Sequence, residues 1–167
     1  MQQNTLLLDE VYVRDQHGQY RTASNSELFD ATRRRLSQAL EREASISSSS
    51  DAVQYLVSHF AGYEREAFVV LHLDARHRVL RVEEAFVGTI DCASVYPREI
   101  VKSVLAANSS AVILAHNHPS GVPEPSSADR RITERLNEAL SLIDVRVLDH
   151  LVIAGADHVS FSQRGLL

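Results

Sequence analysis

The run from His116 to Asp129, H-N-H-P-S-G-V-P-E-P-S-S-A-D, restricts what this chain can fold into more than any other stretch. Ahead of it, Ala111-Val112-Ile113-Leu114-Ala115 is a short apolar run that reads as a buried strand. Side chains of an extended chain repeat every two residues, so His116 and His118 leave that strand's end pointing the same way. Behind it, Ser126 opens a helical pattern in which Ile132, Leu136, Leu140 and Ile143 follow at spacings of four, four and three. Asp129 then falls in the helix's first turn, where its carboxylate can reach back to the strand end. Two imidazoles and one carboxylate are a natural zinc set. Three protein ligands leave a fourth position for water, which is the catalytic rather than the structural arrangement. Gly121, Pro123 and Pro125 stiffen the connection, because proline fixes φ and lowers the entropy lost on ordering a loop.

Taken singly, these residues keep other readings open. Ser126 and Asp129 also fit a capping-box-like helix start, and His116 and His118 fit a polar loop. Together, H-x-H-P followed by S-x-x-D, with ten residues between the second His and the Asp, resembles the JAMM (MPN+) metalloprotease motif. The wider chain resembles the RadC family. The residues that carry this are Gly88-Thr89-Ile90-Asp91, Tyr96-Pro97-Arg98-Glu99, the H-N-H-P-S-G core, Leu148-Asp149-His150 and Arg164-Gly165-Leu166-Leu167. The resemblance covers roughly residues 50 to 167. It lacks the Gly-rich hairpin of the long RadC form's helix-hairpin-helix region, so it is to the short RadC-like proteins.

That resemblance implies an α/β fold: a mixed sheet with flanking helices, in the cytidine-deaminase-like three-layer JAMM/MPN arrangement. It implies one zinc ion per chain on His116, His118 and Asp129. It implies an upstream glutamate as general acid and base, which points to Glu66, with Glu64 as the fallback. Ser126 is the expected donor to the oxyanion, and His150, in the Asp149-His150 pair, is expected to orient a ligand. The implied reaction is hydrolysis of an amide or isopeptide bond in a protein or peptide substrate. Deaminase chemistry is set aside, since it needs two closely spaced cysteines and the chain has one. Two rival functions are a non-catalytic metal-binding module and an accessory factor in DNA repair or recombination.

Composition narrows the partners. Lys and Arg number 17 and Asp and Glu 22, so the net charge is −5 and direct nucleic-acid binding is not expected. Arg33-Arg34-Arg35 fans around a helix and forms no stripe, so it reads as solvated surface. No apolar run approaches the length of a membrane span, no signal peptide is visible, and the lone Cys92, read as a small buried or loop residue, suits a reducing cytoplasm. His59, His72, His77 and His158 carry no motif and are expected at the surface or half-buried. Asn117 and Ser120 are expected to hold turns of the motif loop.

The chain order is legible in outline. An N-terminal appendage, residues 1–49, precedes a metal-binding domain at 50–167. Leu6-Leu7-Leu8 and Val11/Val13 suggest an edge strand or hairpin around His17-Gly18. Ser24 and Glu27 form a capping box for a helix from Ser24 to Ala44, whose face carries Leu28, Phe29, Thr32, Leu36, Ala39 and Leu40. Ser45–Ser50 reads as a flexible linker. A helix over Asp51–Ala61 follows, then strands at Ala67–Leu73 and Val79–Val87 joined by a turn at Asp74–Arg78. A helix from Pro97 to Asn108, the motif, a strand at Val145–Ala154 and a short strand near His158–Phe161 complete the order.

Overall fold

The computed structural model describes residues 11–43, 49–88 and 95–167, with side chains in the first stretch as far as Arg35. The expected features at Leu6–Leu8, Leu36, Ala39, Leu40, Ser45–Ser48 and Cys92 lie outside the described residues or side chains.

The middle of the molecule is made by two strands that the sequence writes as near-continuous apolar runs. β3 (Ala67–Leu73) and β5 (Ala111–Asn117) are buried at every position. A strand is apolar on both sides when both faces of its sheet are covered. β4 (Val79–Val87), β6 (Arg146–Ala154) and β7 (Asp157–Ser160) complete a five-stranded sheet of order β4-β3-β5-β6-β7. β5 and β6 are parallel, and the other pairs are antiparallel, so the sheet is mixed as expected.

Helices cover both faces. On one side α2 (Ser49–Phe60) packs Tyr55, Leu56 and Phe60 against Val69, Leu71, Ile113 and Ile153. On the other, α3 (Pro97–Ala106) and α4 (Ser127–Ser141) pack Ile100, Val104, Leu136 and Leu140 against Phe68, Val70, Val112 and Leu114. Each fully buried large apolar side chain is worth roughly 1.5–3 kcal/mol. The two-residue period of the strands divides the core between the faces, and the result is the expected three-layer α/β fold. Parallel strands need a crossover, and α4 supplies it between β5 and β6. The start of α4 is thereby brought beside the carboxyl end of β5.

Towards the N-terminus, β1 (Tyr12–Arg14) and β2 (Tyr20–Thr22) form a separate antiparallel hairpin that turns at His17-Gly18, with Gly18 at φ +81°. Helix α1 (Asn25–Glu43) starts on the expected capping box: the Ser24 amide donates to Glu27 Oε2 at 2.9 Å, and the Glu27 amide donates to Ser24 Oγ at 3.3 Å. The ring of Phe29 lies against Gly62, so close that a Cβ there would stand 2.6 Å from it. The Arg33 guanidinium lies 4.8 Å from the Tyr63 ring centre and pairs with Asp30, while Arg34 and Arg35 are exposed.

Several boundaries move for local reasons. α2 begins at Ser49 rather than Asp51, so the last two linker serines are helical; serine suits a helix start. α3 ends at Ala106, and Asn108 takes the left-handed conformation, φ +53°, that asparagine tolerates. β7 starts at Asp157 because Asp157 already pairs with Ala154 across the Gly155-Ala156 turn. β5 runs on past Ala115 to Asn117, so His116 belongs to the strand and not to the loop. No described helix is long and apolar enough to cross a membrane.

Candidate metal centre

Strand parity does for the histidines what the sequence predicts. Val112 and Leu114 face the α3/α4 side of the sheet, so His116 faces it too. His118 follows just past the strand, held by its amide donating to the Ile153 carbonyl at 2.8 Å. Its Nδ1 lies 2.8 Å from the carbonyl of Val122. A carbonyl only accepts, so Nδ1 carries the hydrogen and Nε2 presents its lone pair to the site. Gly121, at φ +82°, makes the turn between, with its amide donating to the His118 carbonyl at 3.1 Å.

Asp129 arrives from the other side by the helix cap. Ser126 Oγ accepts from the Asp129 amide at 3.1 Å, and Asp129 Oδ2 accepts from the Ser126 amide at 2.7 Å. The two readings of Ser126 and Asp129 are therefore not rivals. The capping box fixes the carboxylate, and the fixed carboxylate points at the histidines. Its Oδ1 is 3.4 Å from His116 Nε2, its Oδ2 is 3.6 Å from His118 Nε2, and the two Nε2 atoms are 3.0 Å apart.

Among the described residues this is the single group of three or more His, Cys, Asp or Glu whose ligand atoms gather this way, all within 4.8 Å of one another. The spacing fits a metal ion. Tetrahedral zinc with bonds near 2.05 Å sets its ligand atoms about 3.3 Å apart. Burial alone would push the Asp129 carboxyl up, yet hydrogen bonds that His116 and His118 donate when protonated and the charge of His116, together with Ser126, hold its pKa well below the usual carboxylate range. The Asp129 hydrogen bond raises His118 against burial, with the Val122 carbonyl and the charges of Asp129 and Glu66 adding to it.

Glu66 sits one residue before β3, on the same side as Phe68. Phe68 pairs with His116 across the β3–β5 ladder, and the same register continued two residues beyond it would set Glu66 opposite His118. It lines a cavity of about 150 Å³ together with His116, Asp129, Phe68, Val95 and Ile132. Glu64, the fallback, is exposed and does not line that cavity. Ser126 is exposed at the site's edge, and its capping bond uses an oxygen lone pair, not its hydroxyl hydrogen. His150 is fully buried and places Nε2 2.9 Å from His116 Nδ1; burial holds its pKa well below the ordinary imidazole value.

Several contributors escape a reading of the sequence. Asn117 was expected to hold a loop turn, but it ends β5 on the opposite side from its two histidine neighbours. Its Oδ1 accepts from the Ala67 amide at 2.7 Å, and its Nδ2 donates to the Arg65 carbonyl at 3.0 Å. It thus grips the backbone on either side of Glu66. Thr133 lies against His150, with Oγ1 2.6 Å from Nδ1. Its one sequence signal is a polar residue inside the buried stripe of α4, four positions after Asp129. Phe68 and Phe161 stack on His116 and His150. Asp149 is buried and accepts from the His150 and Ser162 amides and from Ser160 Oγ. His72, expected at the surface or half-buried, is fully buried, because β3 is covered on both faces. His59 is half-buried, and His158 is exposed.

Residues 46–166 match the family model described as RadC-like JAB domain. A UPF0758 protein of Tolumonas auensis is 56% identical over 140 residues, 84% of this chain and 62% of that protein. One of Vibrio cholerae is 54% identical over 138 residues, again 62% of its length. The chain thus spans about three-fifths of these relatives. A shorter Vibrio cholerae relative, 54% identical over 132 residues, is covered over 83% of its length. The chain belongs to the RadC-like JAB domain family.

Proposed function

We propose that the chain is a zinc-dependent hydrolase that cleaves amide or isopeptide bonds in a protein or peptide, with one zinc held by His116, His118 and Asp129. The observation that carries this reading is the convergence of two Nε2 atoms and a carboxylate beside a cavity that Glu66 also lines. Zinc in such a set acidifies a water and polarises a carbonyl. Glu66 accepts the proton of the attacking water and returns it to the leaving amine. Ser126 donates its hydroxyl hydrogen to the developing oxyanion, a contact typically worth about 3 kcal/mol. Phe68, Val95 and Ile132 give the cavity an apolar wall that limits water around the reacting groups. The acidic balance and lone cysteine support a cytoplasmic protein that does not contact nucleic acid directly.

Elemental analysis of protein purified without added metal, followed by a peptide-library cleavage screen, tests this reading. Zinc with cleavage that Glu66→Gln abolishes is the expected result. Zinc with no cleavage leaves a metal-binding module, and no zinc with no rebinding at micromolar concentration removes the reading altogether.

A further inference from the structure

The polar contacts behind His116 form a chain in which the position of every hydrogen is forced. It ends at the backbone carbonyl of Asp129, which can only accept. Thr133 Oγ1 lies 2.5 Å from that carbonyl, so its hydroxyl hydrogen points there. The Thr133 oxygen is then left to accept, and its neighbour at 2.6 Å is His150 Nδ1, which must carry a hydrogen. Neutral imidazole has one N–H, so His150 Nε2 is bare. It faces His116 Nδ1 at 2.9 Å, and that nitrogen must in turn be the donor. His116 is thereby left with its lone pair on Nε2, the atom that faces His118 and Asp129.

We infer that Thr133, acting through His150, is a positioning residue that fixes His116 in the tautomer able to bind a metal through Nε2. The same helix turn supplies both ends of the device. Asp129 offers its carboxylate to the site and its carbonyl to Thr133, four residues on, so the relay returns to the residue that shares the site with His116. Among the described residues, Thr133 and His116 are the hydrogen-bonding neighbours of the two His150 nitrogens. Phe161 stacks on its ring at 4.8 Å and Phe68 meets it edge-on at 5.5 Å, and neither offers a hydrogen-bonding group. Without the Thr133 hydroxyl, His150 is free to carry its hydrogen on Nε2 and donate to His116. That would move the His116 hydrogen to Nε2 and block the ligand atom.

The inference rests on His116 being a zinc ligand, and its test separates the two claims. Long-range proton–nitrogen correlation spectra of the metal-free, nitrogen-15-labelled protein at alkaline pH report each imidazole's tautomer directly. His150 and His116 should both be protonated on Nδ1. In Thr133→Val, which keeps the shape and removes the hydroxyl, His150 should shift its hydrogen to Nε2. Zinc affinity, read by competition with a chromophoric chelator, should fall by about 10–100-fold. Thr133→Ser should restore both. A wild-type His150 protonated on Nε2 overturns the inference. So does a Thr133→Val protein with unchanged tautomer and affinity, or a Thr133→Ser protein that loses as much as the valine variant. If Thr133→Val does not fold, the wild-type spectrum and the serine variant decide. If the wild type binds no zinc, the hydrolase reading falls, while the metal-free spectrum still decides the relay.

Discussion

His72 and His116 lie on the same face of the sheet, both buried, and their rings are used in opposite ways. His72 Nδ1 meets Ser109 Oγ at 2.8 Å, and its Nε2 meets Ser103 Oγ at 3.2 Å. Ser103 in turn donates to Glu83 at 2.5 Å and accepts from Arg81 at 3.0 Å, and Arg81 pairs with Glu83. Each acceptor there meets a donor, so the network closes within the protein. His116 spends one nitrogen on His150 and turns the other toward two further acceptors, His118 Nε2 and the Asp129 carboxylate. A buried histidine is therefore not in itself the mark of a site. Acceptors gathered without a donor among them are, because only a cation or a proton satisfies them.

The sharpest way to break this comparison is to remove one ring from each cluster. His118→Ala should reduce zinc from about one per chain to a trace. His72→Ala should leave zinc content unchanged, as measured by elemental analysis. Loss of metal from both variants would mean that the clusters act as one.

Next in size is the effect on turnover, once a substrate is found. Glu66→Gln keeps the shape of the side chain but cannot accept a proton, so the rate should fall by about 10²–10⁴ with zinc retained. Glu64→Gln should leave the rate near that of the wild type. Equal losses in the two variants would remove Glu66 from its role.

Stability should rank the clusters the other way. His72→Ala opens a cavity and removes the His72 partner of the Ser109 hydroxyl, at a cost of roughly 2–4 kcal/mol in denaturant unfolding. His118→Ala in metal-free protein should cost under about 1 kcal/mol, since it also relieves acceptors that face one another.

The pH dependence of folding should carry opposite signs. Burial, with the Arg81 charge, lowers His72 to about 4 in the folded protein, from an ordinary value of 6.5. The unfolded chain therefore takes up a proton first, and stability falls as pH drops from 6.5 to about 4. His72→Gln should flatten that limb by roughly 2–3 kcal/mol. In metal-free protein His118 is raised above 6.5, so its contribution is fully present below 6.5 and is lost as pH rises through the higher folded value. Zinc should reverse that alkaline trend, because it competes with the proton for Nε2. Thermal melts with and without chelator measure both limbs.

The smallest effect should come from deleting residues 1–44. Among its described side chains, helix α1 meets the body of the protein through Phe29 on Gly62 and Arg33 over Tyr63, and none of the residues 11–35 lines the cavity beside His116 and Asp129. Zinc content should not change, and limited proteolysis should leave a folded fragment that starts near residue 50. A truncated protein that fails to fold would make α1 an integral layer.

What could be read from the sequence follows the range of the interactions. His116, His118, Ser126 and Asp129 lie on one strand, loop and helix start, and two local periodicities bring them together. The layers were legible through the resemblance, and the near-continuous apolar runs AFVVLHL and AVILAHN suit strands covered on both faces. Asn117 gripping Arg65 and Ala67 was not legible, since it depends on which strand β5 pairs with, some fifty residues away in the chain. Thr133 and His150 meet only after β6 has docked beside β5. His72 was misread because a single histidine in an apolar run looks like a break in burial. Its serine partners come from α3 and from the turn that precedes β5.

The Asn117 clamp has a consequence for how the site tolerates change elsewhere. One side chain, placed between two candidate ligands, ties the entry of β3 to the end of β5 through the backbone of Arg65 and Ala67. Slippage of one strand past the other must first break both hydrogen bonds of the Asn117 side chain. A copy of the site on another scaffold would therefore need both strand ends, the motif loop and the start of α4 through Thr133, together with the stretch of β6 that carries His150 and Ile153.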